Sequence, residues 1–305
     1  MMYELTIVGG GPAGLAATVY AARKRLDALL ISNDIGGQMN WTTSVENYLG
    51  YQLIEAPELI SKFHTQVSQF PVEQKIGYKV SRVEKTGSGL EIVTESGEKY
   101  QSRATIFATG KRPKTLNVPG EKELTGRGVT YCAICDGPIF AGQRVAVIGG
   151  GNSALEAALD MVKITEHVDL VSLTPLTGDA ILVEKLSGAD NLSIFTEHQT
   201  EKIEGESLVE GLVVKDSKSG ERKQLQVTGV FIEIGLIPNS EPLSQLVELN
   251  QWNEVPVNYN CETSIKGLYA AGDVTSVPEK QIVVAAGEGA KAALQAHRYL
   301  QRLAE

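Results

Sequence analysis

Short blocks of consecutive apolar residues alternate along this chain with longer stretches of helical period. "ELTIV" opens it, glycines follow, and then comes the small-residue stretch "PAGLAATVYAARK". A second apolar block, "DALLIS", stands behind that stretch. Apolar runs of this length suit strands buried on both faces, and a helix between two of them sets the strands parallel. The pattern predicts a strand over 4–8, an alanine-rich helix after the glycines and a strand over 27–32. The unit recurs 140 positions later, where "RVAVI", glycines, "SALEAALDMV" and "VDLVS" spell strand, helix and strand again. Near the end, "GLYAAGD" predicts a short strand reaching Ala271, and "QIVVAAGEGAKAALQAHRYL" a helix.

Each repeat carries a glycine turn between its strand and its helix. Gly9, Gly11 and Gly14, with Pro12 and Ala13 between them, fit G-x-G-x-x-G. The first glycine permits the tight turn, and the second lets backbone amides approach a pyrophosphate. The third allows close helix–strand packing, with the positive helix end aimed at the phosphates. Gly149, Gly151 and Ala154 repeat the arrangement. Asn33 takes the place of the acidic residue that grips a ribose in such folds, with Asp34 beside it. An amide still hydrogen-bonds hydroxyls, without charge assistance.

The chain after Asn239 is too short for a third domain, so it reads as the return of the first. The crossings are "GKRPKTLNVPG" and "GLIPNS", both punctuated by glycine and proline. The expected fold class is α/β, with two Rossmann-like, three-layer ββα nucleotide-binding domains, the second inserted into the first. Residues 1–113 and 242–305 form the expected first domain and 114–241 the inserted one.

The 305 residues, 42% of them hydrophobic, suffice for roughly two domains with proper cores. A net charge of -9 argues against nucleic acid as a partner, since binding phosphates needs a basic face. No uninterrupted apolar run reaches the roughly 20 residues that a membrane span needs. The apolar N-terminus lacks the basic region of a signal peptide and carries Glu4. Three cysteines suit a reducing, cytoplasmic setting.

"GVTYCAICDGPIF" holds Cys132 and Cys135, with Asp136 directly after. A zinc site would need about four ligands, and no second C-x-x-C is present. Inert core cysteines would not need this spacing. A redox dithiol does, because two intervening residues let a disulfide close within one turn while the partner thiol's pKa falls. Asp136 is either ordinary turn chemistry before glycine or, beside a thiol that gains and loses protons, a general acid-base.

In order along the chain, "GGGPAG", "GGQM", "ENYLG", "ATG", "CAICDG", "GGGNSALEA" and "GLYAAGD" resemble the low-molecular-weight thioredoxin reductases over nearly the whole length. From Gly128 onward, "GVFIEIGLIPN" and "KQIVVAAGEGAKAAL" also resemble the catalytic part of the flavoprotein that reduces peroxiredoxins. The resemblance implies FAD in the split domain, a homodimer, and a large rotation presenting the dithiol alternately to flavin and to a thioredoxin-like protein. By the same resemblance, Gly9, Gly11 and Gly14 would hold the FAD pyrophosphate, Gln38 and Asn47 would line the flavin, and Asp273 would bind its ribityl chain. Pro12, Ala13, Gly37, Gly110 and Gly272 join them as expected cofactor-binding residues. Gln281 and Ile282 would meet the isoalloxazine edge. Cys135 would face the flavin, Cys132 would attack the substrate disulfide, and Asp136 would supply the proton.

One stretch departs from the family. NADPH-using relatives carry His-Arg-Arg, and an arginine four residues later, where this chain has Ser172, Leu173, Thr174 and Gly178. NADH-using relatives place a glutamate near Ser172. Losing an arginine–phosphate grip removes charge-assisted hydrogen bonds of about 1.5–3 kcal/mol each. A branch of the family takes electrons from reduced ferredoxin, and this chain resembles it. Ferredoxin near about -400 mV lies roughly 130 mV below thioredoxin, about 6 kcal/mol downhill for two electrons. Ferredoxin is therefore the expected donor, with Lys111, Arg112 and Lys114 as its docking patch, and NAD(P)H the alternative. An oxygen-dependent dithiol oxidase on the same fold is a further reading. An intact dithiol argues against a redox-inactive flavin-binding protein, and a missing NADP grip against a ferredoxin–NADP reductase.

Overall fold

The computed structural model describes residues 2–42 and 44–304. Two sheets organise them, the first mixed and the second parallel. The first runs in the order Glu73–Ile76, Ala28–Ser32, Met2–Val8, Lys99–Phe107, Leu90–Thr94, Val80–Lys85. The strand Leu268–Ala270 joins it beside the far half of Lys99–Phe107, with Leu268 opposite Thr105 and Ala270 opposite Phe107. The chain thus leaves this sheet, builds the second, and comes back, as the sequence predicts for "GLYAAGD".

Alternation along the central strands separates two cores. Leu5, Ile7 and Leu30 face the helices, where Ala17, Ala21, Ala292 and Ala296 pack. Val8, Leu29 and Ile31 face the opposite layer with Val83, Ile92 and Val255. The helices Pro12–Arg23 and Ile282–Ala304 touch through small residues. A Cβ on Gly289 would stand 1.9 Å from the Ala13 carbonyl oxygen, so the approach needs a residue with no side chain.

The second sheet runs Val129–Thr130, Gly229–Ile232, Arg144–Ile148, His167–Val171, Leu192–Phe195, all parallel. Ala146, Ile148 and Val230 pack against Ile203, Leu212 and Val214 of an antiparallel three-stranded sheet. Val145, Val147 and Phe231 pack against Ala154, Leu155 and Ala158 of the helix Asn152–Ile164. Sheet, sheet and helix form the expected three layers.

The two crossings are not loose linkers. Lys111–Pro113 and Leu236–Pro238 lie side by side as an antiparallel ribbon, with Leu236 opposite Pro113 and Pro238 opposite Lys111. Proline is tolerated there because each strand is an edge. Thr109 and Asn239 extend the pairing: the Asn239 side-chain amide donates to the Thr109 carbonyl and the Thr109 hydroxyl to that of Asn239, both at 2.8 Å. Among the described residues, no helix is long and apolar enough to cross a membrane.

Candidate functional site

A cavity of about 910 Å³ opens between the two halves, and every predicted cofactor residue except Gly14 lines it. The glycine turn forms one end. Gly9 has φ +116°, and a Cβ there would strike the Ala108 carbonyl oxygen at 2.2 Å. Gly14 lies behind the turn, where a Cβ would stand 1.8 Å from the Gly9 carbonyl oxygen; its bareness serves helix–strand packing. Gly11 differs, since a Cβ there would meet nothing closer than 4.0 Å and would project into the open cradle. That space, in front of a helix whose first amides carry no side-chain cap, is what a pyrophosphate requires.

Beyond the turn, Asp34 is occupied: its carboxylate accepts the Gly37 amide at 3.0 Å. Asn33 is exposed at the rim, its amide 3.5 Å from the Asp34 carboxylate. Further along, residues distant in sequence meet in pairs. The Gln38 amide donates to Asp273 at 2.5 Å, and the Asn47 amide to Gln281 at 3.2 Å. Burial pushes the Asp273 carboxyl upward, opposed by Gln38 and by the charges of Lys280 and Lys111. Gly110 (φ +66°) and Gly272 (φ +75°) sit at the strand ends facing Gln38 and Ala13, and Ile282 begins the last helix. Glycine cradle, Asp273 and the Asn47–Gln281 pair offer FAD a phosphate site, hydroxyl acceptors and an edge to rest on. The residues fit the group.

The dithiol closes the other side of the same cavity. Cys132 and Cys135 are joined as a disulfide and both line it with Asp136. Cys132 caps the short helix Ala133–Asp136, its sulfur accepting the Cys135 amide at 3.2 Å. Asp136 is 5% exposed and held by two hydroxyls, Thr130 from its own half and Thr42 from the other. Burial raises its proton affinity and the two hydroxyls partly offset that. A buried carboxyl whose proton affinity is raised in this way, beside a dithiol, can give a proton to a thiolate and take it back.

The second glycine turn keeps an open cradle too, for a Cβ on Gly151 would meet nothing within 4 Å. The strand beside it ends without charge. Ser172 is 2% exposed and packed on the turn, its hydroxyl 2.3 Å from where a Gly150 Cβ would be. Leu173 and Thr174 point outward. Thr177 and Gly178 then fold back, their amides donating to the Gly150 carbonyl at 2.7 and 3.0 Å. Asp179 exchanges hydrogen bonds with Asn152.

The structure corrects the docking patch. Lys111 is half-buried, its side chain 11% exposed and paired with Glu254 at 2.7 Å. Lys280 reaches the same carboxylate at 3.5 Å, its own proton affinity lowered by burial and by Lys111. Lys111 is therefore a structural cation beneath the cavity, and Arg112 is tied to Asn239 and Glu241. Sequence reasoning missed Thr42, Thr130, Glu233, Glu254 and Lys280. All but Thr130, six positions from Asp136, act through a partner distant in the sequence, and none belongs to the C-x-x-C or glycine motif.

A family model described as "Pyridine nucleotide-disulphide oxidoreductase" matches residues 3–289. An alkyl hydroperoxide reductase subunit of Escherichia coli (strain K12) is 42% identical over 98% of this chain, and the chain spans 58% of that protein's length. The thioredoxin reductase of Streptococcus pyogenes MGAS5005 superposes with a TM-score of 0.93 at 34% identity, over 99% of both chains. The Lactococcus lactis thioredoxin reductase, solved in an FR conformation, also has 34% identity, over 98% of this chain and 99% of its own. Its TM-score is 0.69. The chain therefore belongs to the pyridine nucleotide-disulphide oxidoreductase family, as an FAD-binding member with the thioredoxin reductase fold.

Proposed function

We propose that this chain is an FAD-dependent disulfide reductase that passes electrons from flavin through Cys132 and Cys135 to thioredoxin or a thioredoxin-like protein. The observation that carries this reading is the single cavity lined by both the dithiol and the flavin cradle. A flavin seated there needs no carrier to reach the disulfide, and Asp136 stands ready with the proton. FAD supplies the two-electron chemistry, accepting electrons singly or as a pair. The chain's own residues hold it, exclude water from the dithiol side and manage the proton.

Splitting the chain into a flavin half (1–113 and 242–305) and a dithiol half (114–241) accords with the crossing ribbon. To meet a protein substrate, the dithiol must leave the cavity. Rotation of one half against the other accomplishes this, and two relatives of equal identity but different TM-score accord with more than one arrangement. A homodimer in the cytoplasm is the expected working form.

For the donor, we favour reduced ferredoxin over NAD(P)H. The buried Ser172, the outward Leu173 and Thr174 and the committed Asp179 support it, since none offers a ribose or its phosphate a charged grip. Anaerobic stopped-flow reduction of the bound flavin by NADPH, NADH and reduced ferredoxin, followed by turnover with oxidised thioredoxin, tests the whole reading. Flavin that reduces yet passes nothing to the disulfide would refute the reductase. Fast reduction by NADPH would refute the donor alone.

A further inference from the structure

The strand order of the second sheet reverses between Arg144–Ile148 and Gly229–Ile232. In sheets of this kind the ligand crevice opens outside the strand ends at that reversal. Gly149 follows one of those ends and Glu233 the other, close enough that a Gly149 Cβ would stand 2.4 Å from the Glu233 carbonyl oxygen. The Glu233 carboxylate turns to the dithiol helix, where Oε1 accepts the Ala133 amide at 3.2 Å. Ala133 directly follows Cys132. One peptide unit thus separates a carboxylate from a sulfur that must become a thiolate.

We infer that Glu233 is a positioning residue of the dithiol: it fixes Cys132 through the Ala133 amide, and the two groups trade one proton, the carboxylate protonating as the thiol ionises. The exchange balances by itself. Cys132 thiol and Glu233 carboxylate become Cys132 thiolate and Glu233 carboxylic acid, with no electron moved and no proton lost to solvent. This rests on the reading of Cys132 and Cys135 as a working dithiol.

Two negative charges this near in a partly buried place are not held together cheaply, so their titrations are coupled. Burial pushes the Glu233 carboxyl to about 7, opposed only by the Ala133 amide. That is within the range of activated thiols. The neighbouring elements bring few other charges. The dithiol helix contributes Cys135 and Asp136, the latter engaged by Thr130 and Thr42. Tyr131, before the helix, donates to Glu121 at 3.0 Å. The second glycine turn brings no charge, and past Glu233 the Lys114 ammonium lies 3.7 Å from where a Gly235 Cβ would be. Asp136 is engaged on the side of the flavin half by Thr42, whereas Glu233 reaches the Ala133 amide from the inserted sheet.

The test uses the full-length Cys135→Ser protein with FAD bound, with and without Glu233→Gln. Glutamine keeps an oxygen for the Ala133 amide and removes only the proton. Alkylation of Cys132 by iodoacetamide, located by mass spectrometry, is followed against pH. With Glu233 present the rate should rise in two steps, one of them near 7. With glutamine a single step should remain, and alkylation above pH about 7, where an ionised Glu233 would hold the thiol protonated, should speed up by up to about tenfold, the effect of one pKa unit. A profile unchanged by Glu233→Gln would overturn the coupling. Should that variant not fold, infrared titration of the Cys135→Ser protein replaces it. Blocking Cys132 should move the midpoint of a protonated-carboxyl band downward, and an unmoved band would overturn the proposal equally. Thioredoxin reduction by the unvaried chain is measured alongside. Failure there refutes the reductase reading, while the alkylation profile still decides the role of Glu233.

Discussion

Thr42 and Asp136 stand 94 positions apart, in different halves of the molecule, and the Thr42 hydroxyl donates to the Asp136 carboxylate. The group proposed to handle the dithiol's proton is thus half-built by the flavin side. Thr42→Val removes that donor while keeping the shape. A hydrogen bond to the ionised form lowers a carboxyl's pKa, so its loss raises Asp136 further. The Asp136 limb of the pH–rate profile for disulfide reduction should move up by about one unit. An unmoved limb would show that Thr42 does not act on the acid.

Gly11 and Gly14 should fail differently. A side chain at Gly11 enters open space, so Gly11→Val should fold and yet purify colourless, by circular dichroism and flavin absorbance. At Gly14 a Cβ meets backbone at 1.8 Å, so Gly14→Ala should lose the fold itself.

Cys132→Ser and Cys135→Ser should each abolish disulfide reduction and keep FAD, because exchange needs both sulfurs. Cys132→Ser should show a long-wavelength charge-transfer band from the Cys135 thiolate against flavin. The band in Cys135→Ser instead would reverse the two roles.

The donor prediction is sharpened by burial. Ser172 has no room to become histidine, but Leu173 is 63% exposed. Leu173→Arg with Thr174→Arg should therefore tighten NADPH binding by calorimetry without cost to the fold. Neutralising Lys114, the exposed lysine that remains of that patch, should slow reduction by ferredoxin and flatten its salt dependence, since exposed charges steer encounter and salt screens them. No change in either would remove this face as the docking patch.

Stability should report Glu233 as well. Its folded pKa, about 7, lies above the ordinary 4.5, so the unfolded chain loses its proton first as pH rises. The oxidised protein should lose stability between those values and level off above about 7. Glu233→Gln escapes this, so its advantage in denaturant unfolding should grow over that window by up to about 3 kcal/mol. A constant difference across the window would deny the shifted carboxyl.

Much of the arrangement was legible because local pattern and global fold agree. "ELTIV", the glycines and "PAGLAATVYAARK" each point to one strand–turn–helix unit, and the structure builds it. C-x-x-C and G-x-G-x-x-G are readable since their chemistry lives in neighbouring residues. Thr42 and Glu233 were not, because a hydroxyl or a carboxyl acquires meaning only from what folding brings to it. Lys111 shows the reverse error: beside Arg112 and Lys114 it reads as surface charge, yet Glu254, 143 positions away, draws it inside.

The ribbon of Lys111–Pro113 and Leu236–Pro238 has a mechanical meaning. Two single strands joining the halves at separate points would act as struts, and turning one half would stretch one strut and slacken the other. Tied edge to edge, they form an axle. Torsion along it costs little, because a two-stranded ribbon already twists by nature, whereas splaying would break its hydrogen bonds. Lys111, seated in the flavin half by Glu254, anchors one end like a bearing. In the proposed rotation the halves would turn without drifting apart, and a dithiol carried on such an axle would return to the same place each cycle.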